Sequence, residues 1–224
     1  RALGTNSIDN AARICHAPSS VALKQTVGIG ATSCSYGDWI GTDLLVFIGA
    51  NPANNQPVTT KYLYYAKKAS TKVVMVNTHR EPGMERYWVP SAVESALFGT
   101  RITDETFLIN TGGDVAFLNG ALKHIVEKGL ADRAFIDAHT GGYDALVEAL
   151  NGQSWADLEA HTGATEAEMR AFGQMVGTAR TAVFVWSMGV TQHSFGEDGV
   201  RAIVNLALTR GFIGREMCGL MPIR

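Results

Sequence analysis

The sequence predicts a three-layer α/β/α domain built on a mainly parallel sheet. Three observations predict it. Residues 43–48, 72–76 and 182–186 are continuous apolar runs, as strands covered on both faces require. The first two runs flank a helical pattern, and the whole fits the length of one βαβ unit, about thirty residues. Helix signals then fill most of the chain up to the third run, with no repeat, low-complexity tract or linker.

The elements follow in order. Ser7-Ile8-Asp9-Asn10 reads as the start of a helix. The run Asp43-Leu44-Leu45-Val46-Phe47-Ile48 ends in Gly49 and is a buried strand. Residues 57–69 read as a helix with Tyr62, Tyr65 and Ala66 on one face. Lys72-Val73-Val74-Met75-Val76 is the second strand. Residues 77–112 carry Pro82-Gly83, Pro90, Gly99 and Gly112 and read as irregular. A helix spans 114–128 and is ended by Gly129. Further helices are expected near 131–138, 142–150 and 154–161. Thr165-Glu166-Ala167-Glu168 is a capping box that opens a helix to 178. Ala182-Val183-Phe184-Val185-Trp186 is the third strand, and 199–209 is the last helix, with Gly211 and Gly214 beyond it. This order is Rossmann-like. Ligands of such sheets lie beyond the carboxyl ends of the strands, so loops 49–57, 77–90 and 187–195 carry the candidate chemistry.

Composition narrows the function. The 224 residues are 46% hydrophobic and 18% charged, with a formal net charge of −2, the values of a globular protein. No basic stripe suits nucleic acid. No apolar run reaches membrane-spanning length and no signal peptide opens the chain, so the expectation is a soluble, cytoplasmic protein. Cys15, Cys34 and Cys218 are too few and too scattered for a disulfide framework or an iron–sulfur motif, and read first as reduced core thiols. The chain opens on Arg1 and closes just past a proline, which reads as an internal piece of a longer polypeptide.

Loop 49–57, Gly-Ala-Asn-Pro-Ala-Asn-Asn-Gln-Pro, combines Gly49 with the amides of Asn51 and its neighbours ahead of a helix start. It suits either a phosphorylated ligand or a plain strand-to-helix turn. Thr111-Gly112-Gly113-Asp114 has the same chemistry, with Asp114 either a cap or a ligand contact. In Asn77-Thr78-His79-Arg80, the guanidinium can pair with a phosphate or stand exposed. Gly28-Ile29-Gly30-Ala31-Thr32-Ser33 is rejected as a dinucleotide fingerprint, because its third glycine is missing and it follows a helical pattern. Cys15-His16 places a soft metal ligand beside a group that titrates near neutral pH. Adjacent side chains seldom face each other, so a thiolate bound to a redox metal, with the histidine reaching a substrate there, suits the pair better than a hydrolytic dyad.

Together these segments resemble the molybdopterin oxidoreductases of the formate dehydrogenase type. The motifs are Asn10-Ala11-Ala12-Arg13-Ile14-Cys15-His16-Ala17-Pro18-Ser19, Gly49-Ala50-Asn51-Pro52, Gly112-Gly113-Asp114 with Leu118-Asn119, Met188-Gly189-Val190-Thr191-Gln192, and Pro222-Ile223-Arg224. The stretch Arg80-Glu81-Pro82-Gly83-Met84-Glu85-Arg86-Tyr87-Trp88-Val89-Pro90 resembles the formate dehydrogenase alpha subunit-like branch linked to bacterial acid resistance.

The resemblance implies a single α/β molybdopterin-dinucleotide-binding domain over residues 1–224, excised from a larger catalytic subunit. It implies molybdenum or tungsten bis(molybdopterin guanine dinucleotide), with any iron–sulfur cluster in an amino-terminal part outside this chain. It implies a small oxyanion substrate such as formate, an electron-transfer partner and the remaining domains of the same subunit as partners. By the same resemblance Cys15 ligates the metal, His16 takes the substrate proton and Arg224 orients the carboxylate. Gly49, Asn51, Pro52, Asn77, Arg80, Gly112 and Asp114 hold one pterin dinucleotide, and Met188, Thr191 and Gln192 lie near the other. The family has Asp-Pro-Arg after the second strand where this chain has Asn77-Thr78-His79-Arg80. A non-redox nucleotide- or cofactor-binding module, or a thiol enzyme using Cys15, are the other readings of the same residues.

Overall fold

In the computed structural model, which describes Ala2 and residues 4–223, five parallel strands form one sheet in the order β5-β2-β1-β6-β7. These are β1 (Leu44–Ile48), β2 (Lys72–Asn77), β5 (Glu105–Leu108), β6 (Ala182–Trp186) and β7 (Gly219–Pro222). A separate antiparallel ribbon pairs β3 (Arg86–Tyr87) with β4 (Thr100–Arg101). The three predicted strands occupy the centre, with Val46 opposite both Val74 and Phe184. They read as unbroken apolar runs because they are covered on both faces.

The helices are α1 (Ala12–Cys15), α2 (Ala17–Thr26), α3 (Pro52–Asn55), α4 (Thr60–Lys68), α5 (Pro82–Glu85), α6 (Val93–Phe98), α7 (Asp114–Glu127), α8 (Arg133–His139), α9 (Tyr143–Asn151), α10 (Trp155–Thr162), α11 (Glu166–Thr178), α12 (Met188–Thr191) and α13 (Gly196–Thr209). The capping box predicted at Thr165 forms: Thr165 Oγ1 accepts from the Glu168 amide at 3.3 Å, and Glu168 Oε2 accepts from the Thr165 amide at 2.8 Å. Asp132 and Ser154 cap α8 and α10 by the single bond, each side chain accepting from the amide three residues on.

One face of the sheet carries Val46, Ile48, Val76, Phe184 and Trp186 and packs under α2, α7, α11 and α13. Phe107, Phe117 and Phe172 meet there with ring centroids 5.2–5.6 Å apart. Each aromatic pair adds about 0.5–1.5 kcal/mol beyond its burial, so the trio anchors α7 and α11 to β5. The opposite face carries Leu45, Phe47, Val73, Val185 and Met221. It is covered more thinly, by Trp39, Leu63 of α4 and Met84 of α5. Among the described residues no helix is long and apolar enough to cross a membrane.

Three departures from the sequence reading concern edges and ends. β5 lies inside the stretch read as irregular, and β7 inside the tail; both are four-residue edge strands. β5 leaves Leu108 exposed, and β7, buried from Gly219 to Met221, contains a glycine and a proline, so neither reads in sequence as a continuous apolar run. The helix expected over 57–69 splits into a 3₁₀ turn at Pro57–Thr59 followed by α4. The last helix begins at Gly196, three residues before the expected start.

The chain runs from β1 outward through β2 to β5, then returns past β1 to lay down β6 and β7. Strand order therefore reverses between β1 and β6, where the strand-end loops part and leave a crevice.

Candidate active site

At that reversal two glycines touch. Gly49, with φ +54°, ends β1, and a Cβ on it would lie 2.9 Å from three backbone atoms of Gly189 and Val190. The Gly189 amide donates to the Gly49 carbonyl at 3.1 Å. No side chain separates the two loops, so backbone amides line the floor of the crevice.

Above this floor is a cavity of about 240 Å³, lined by residues from the ends of four strands. Gly49 follows β1, Asn77 and Thr78 end β2, Ile109 to Asp114 follow β5, and Met188 to His193 follow β6. Of the predicted residues, Gly49, Asn77, Gly112, Asp114, Met188 and Gln192 share this cavity. Thr191 is buried beside it and donates to the Cys15 carbonyl at 2.5 Å. Asn51 and Pro52 stand outside the lining: Asn51 caps α3 and donates to Glu81 Oε2 at 2.6 Å. Arg80 is exposed and pairs with Glu85 at 3.2 Å. Arg224 lies outside the described residues.

Cys15 and His16 sit at the junction of α1 and α2. The Cys15 thiol is 3.7 Å from Met188 Sδ, which brings it to the edge of the cavity. His16 Nε2 is 2.8 Å from the Ile223 carbonyl oxygen, beyond β7, and Nδ1 is 3.0 Å from Ser19 Oγ. Residues more than 200 positions apart thus meet at one sheet edge.

The other two thiols are placed differently. Burial, the largest cause, pushes Cys34 up to about 12, and burial also raises Cys218. Both stay protonated at neutral pH and are poor metal ligands. They lie on opposite faces of the sheet, Cys218 in one core and Cys34 against the other. Among the described residues no three metal-ligating side chains converge, so a metal beside Cys15 would take its other ligands from a cofactor.

Two residues of the site were given no role in the sequence reading. His193 lines the cavity, stacks on Phe195 with centroids 5.1 Å apart and an interplanar angle of 10°, and hydrogen-bonds the Gly189 carbonyl at 3.0 Å. Glu81 ties two loops together, accepting from Asn51 and, at 3.5 Å, from Asn77, with His79 2.9 Å away. An acidic residue shortly after the second strand of a βαβ unit was the available signal for Glu81. Nothing local marks His193.

Asp114 is buried at the amino end of α7 and lines the cavity. Burial, the largest cause, holds its carboxyl above the ordinary value of 3.8, against the opposing pull of its own amide and of His193. The folded protein therefore keeps this proton to higher pH than the unfolded chain does. Stability falls as pH rises from 3.8 through the raised value. Asp114→Asn removes that loss. The variant is expected to melt above the wild type at neutral pH, with the two curves converging near pH 3.8. Equal melting temperatures at neutral pH would show that ionised Asp114 is already satisfied.

The profile of the molybdopterin oxidoreductase family matches residues 1–223. Formate dehydrogenase H of Escherichia coli is 32% identical over 222 residues, covering 99% of this chain and 29% of that protein. Protein YdeP of Escherichia coli is 29% identical over 236 residues, covering 100% of this chain and 31% of that protein. The chain spans about a third of the length of these relatives. Among solved structures, acetylene hydratase from Pelobacter acetylenicus superposes with a TM-score of 0.74 at 21% identity, over 94% of this chain and 26% of that one, a likeness of fold. Sequence motifs, switch-point crevice and family profile converge: this chain belongs to the molybdopterin oxidoreductase family.

Proposed function

We propose that the chain is one domain of the catalytic subunit of a formate dehydrogenase-like oxidoreductase of the cytoplasm. The reaction is the oxidation of formate to carbon dioxide, two electrons and a proton. The observation that carries this reading is the Cys15 thiol at the mouth of the switch-point crevice, with His16 next to it and a backbone-lined floor behind. Membership of the family implies a molybdenum or tungsten pterin cofactor. We take its form to be the bis(guanine dinucleotide), which would accept the two electrons when bound.

The residues present suit that group. The Gly49–Gly189 contact keeps side chains off the cavity floor, so a phosphorylated ligand in the cavity would meet backbone there. Asp114, buried and facing the cavity, matches the donor edge of a guanine. Glu81 sets the facing amides of Asn51 and Asn77. Cys15 offers a thiolate ligand at the cavity edge, beside the Met188 thioether. His16 and Arg224 would address the substrate anion, the planar guanidinium matching a carboxylate.

The test uses the full-length polypeptide. Stoichiometric molybdenum or tungsten, and formate-dependent reduction of an artificial electron acceptor, are expected. Arg224→Lys keeps the charge but loses the fork, so kcat/KM for formate should fall by roughly 10–100-fold. Metal-free protein would remove the redox reading. An Arg224→Lys enzyme fully active on formate would remove the carboxylate assignment.

A further inference from the structure

Helix α6 stands off the surface. Val93, Leu97 and Phe98 are 78%, 68% and 72% exposed, and Ser95 is the one buried residue of the helix. Trp88, 53% exposed, joins them: a Cβ on Gly99, the residue after Phe98, would lie 3.0 Å from both Trp88 and Arg86. Contiguous apolar exposure of this kind marks an interaction surface. Its edge is basic. Arg86 and Arg101 stand directly opposite each other on the β3–β4 ribbon, a like-charged pairing that destabilises a ribbon on its own. Both guanidiniums donate to backbone carbonyls, of Phe98, Thr103 and Asp104, and among the described residues neither pairs with a carboxylate. Glu94 of α6 is neutralised by Lys68 at 2.5 Å.

A groove of the opposite character lies across the sheet. It encloses about 540 Å³ between α7, α10 and the start of α13, and shares only Gly112 with the strand-end cavity. Val115, Ala116, Leu158 and Phe195 give it an apolar lining, and the exposed Asp157 and Asp198 make its edge acidic. Asp198 also meets Arg201 at 2.8 Å, but no lysine or arginine is among the described residues that line the groove. A chain cannot fill its own groove with its own α6. Tyr87, at the foot of the α6 patch, packs against the core under α4, whereas Ala116 packs against the core under α7 and α13. The two features face away from opposite sides of the sheet.

We infer that α6 of one copy docks in the α7–α10–α13 groove of a second copy of this chain, with Leu97 and Phe98 entering the apolar lining and Arg86 and Arg101 meeting Asp157 and Asp198. The mode is a helix laid in a groove, its anchors on the apolar side and its register set by the charged rims. The arginine pair gains the countercharge that its own chain does not supply. Because helix and groove lie on opposite sides, the contact runs head to tail and builds a ring or a filament. The inference does not rest on the formate reading.

The experiment is sedimentation velocity on the full-length polypeptide over a concentration series. The wild type should associate beyond a dimer, and added salt should weaken the association, because the two rims carry opposite charge. Leu97→Glu combined with Phe98→Glu spoils the helix at exposed positions. Ala116→Arg fills the groove and repels the basic edge. Each variant alone should sediment as a monomer. Mixed in equal amounts they should form a 1:1 dimer and stop there, since one sound helix and one sound groove remain between them. Should Ala116→Arg fail to fold, Asp157→Asn combined with Asp198→Asn takes its place, and should weaken association by about tenfold or more. A wild type that stays monomeric at every concentration overturns the inference. So does a folded groove variant that associates as tightly as the wild type, which would seat α6 elsewhere, and so does a mixture of the helix variant and Ala116→Arg that remains monomeric. Neither metal nor turnover enters the measurement, so metal-free protein would end the formate reading and leave this one intact.

Discussion

Cys15→Ala in the full-length enzyme is expected to lower turnover by more than about a thousandfold, roughly 4 kcal/mol of transition-state stabilisation. Cys34→Ala and Cys218→Ala should change it by less than about threefold, at a cost of about 1 kcal/mol in stability each. The contrast follows from placement. Cys15 is half-buried, at the cavity edge beside Met188, where a soft ligand is exposed to a cofactor. Burial holds the other two thiols protonated, on opposite faces of the sheet and away from the strand-end cavity. The measurement is steady-state turnover together with metal content for all three variants. Equal loss in the three would mean that Cys15 is only another core thiol.

The second large effect is structural. Gly49→Val forces a β-branched side chain onto a residue at φ +54°, and its Cβ would sit 2.9 Å from the backbone of Gly189 and Val190. Left-handed backbone costs an L-residue about 1–2 kcal/mol, and overpacking adds about 1–3. A loss of roughly 2–5 kcal/mol should lower the melting temperature by roughly 5–15 °C for a chain of this size. The valine also pushes the β1 and β6 loops apart, so cofactor retention by the full-length protein should fall with stability. Thermal melts and metal content read the two effects. A Gly49→Val protein with wild-type melting and full metal content would show that the switch-point contact constrains nothing.

By itself the sequence determined the parts whose signal is local. Residues 44–48, 73–76 and 182–186 are apolar throughout because each is covered on both faces, and that pattern is visible one segment at a time. The Thr165 capping box closes within one helical turn and needs no distant partner. Strand-helix alternation pointed to loops 49–57, 77–90 and 187–195, and Gly49, Asn77, Met188 and Gln192 from those loops share one cavity with Gly112 and Asp114, which stood out as a glycine turn before a helix; the binding roles of all six came from the family resemblance. Only the tertiary structure decided the rest. β5 and β7 are strands because β2 and β6 offer them paired edges, not because of their own residues. Arg80 was drawn to Glu85, and Glu81, given no role in the sequence reading, joined Asn51 to Asn77, since side-chain direction depends on neighbours brought in by folding. His193 entered the cavity because α12 is one turn long and hands it back toward Gly189. The contact of His16 with the Ile223 carbonyl spans more than 200 residues of chain. No local pattern encodes it, because hydrogen-bond geometry at that separation exists only once the sheet has set its strand ends side by side.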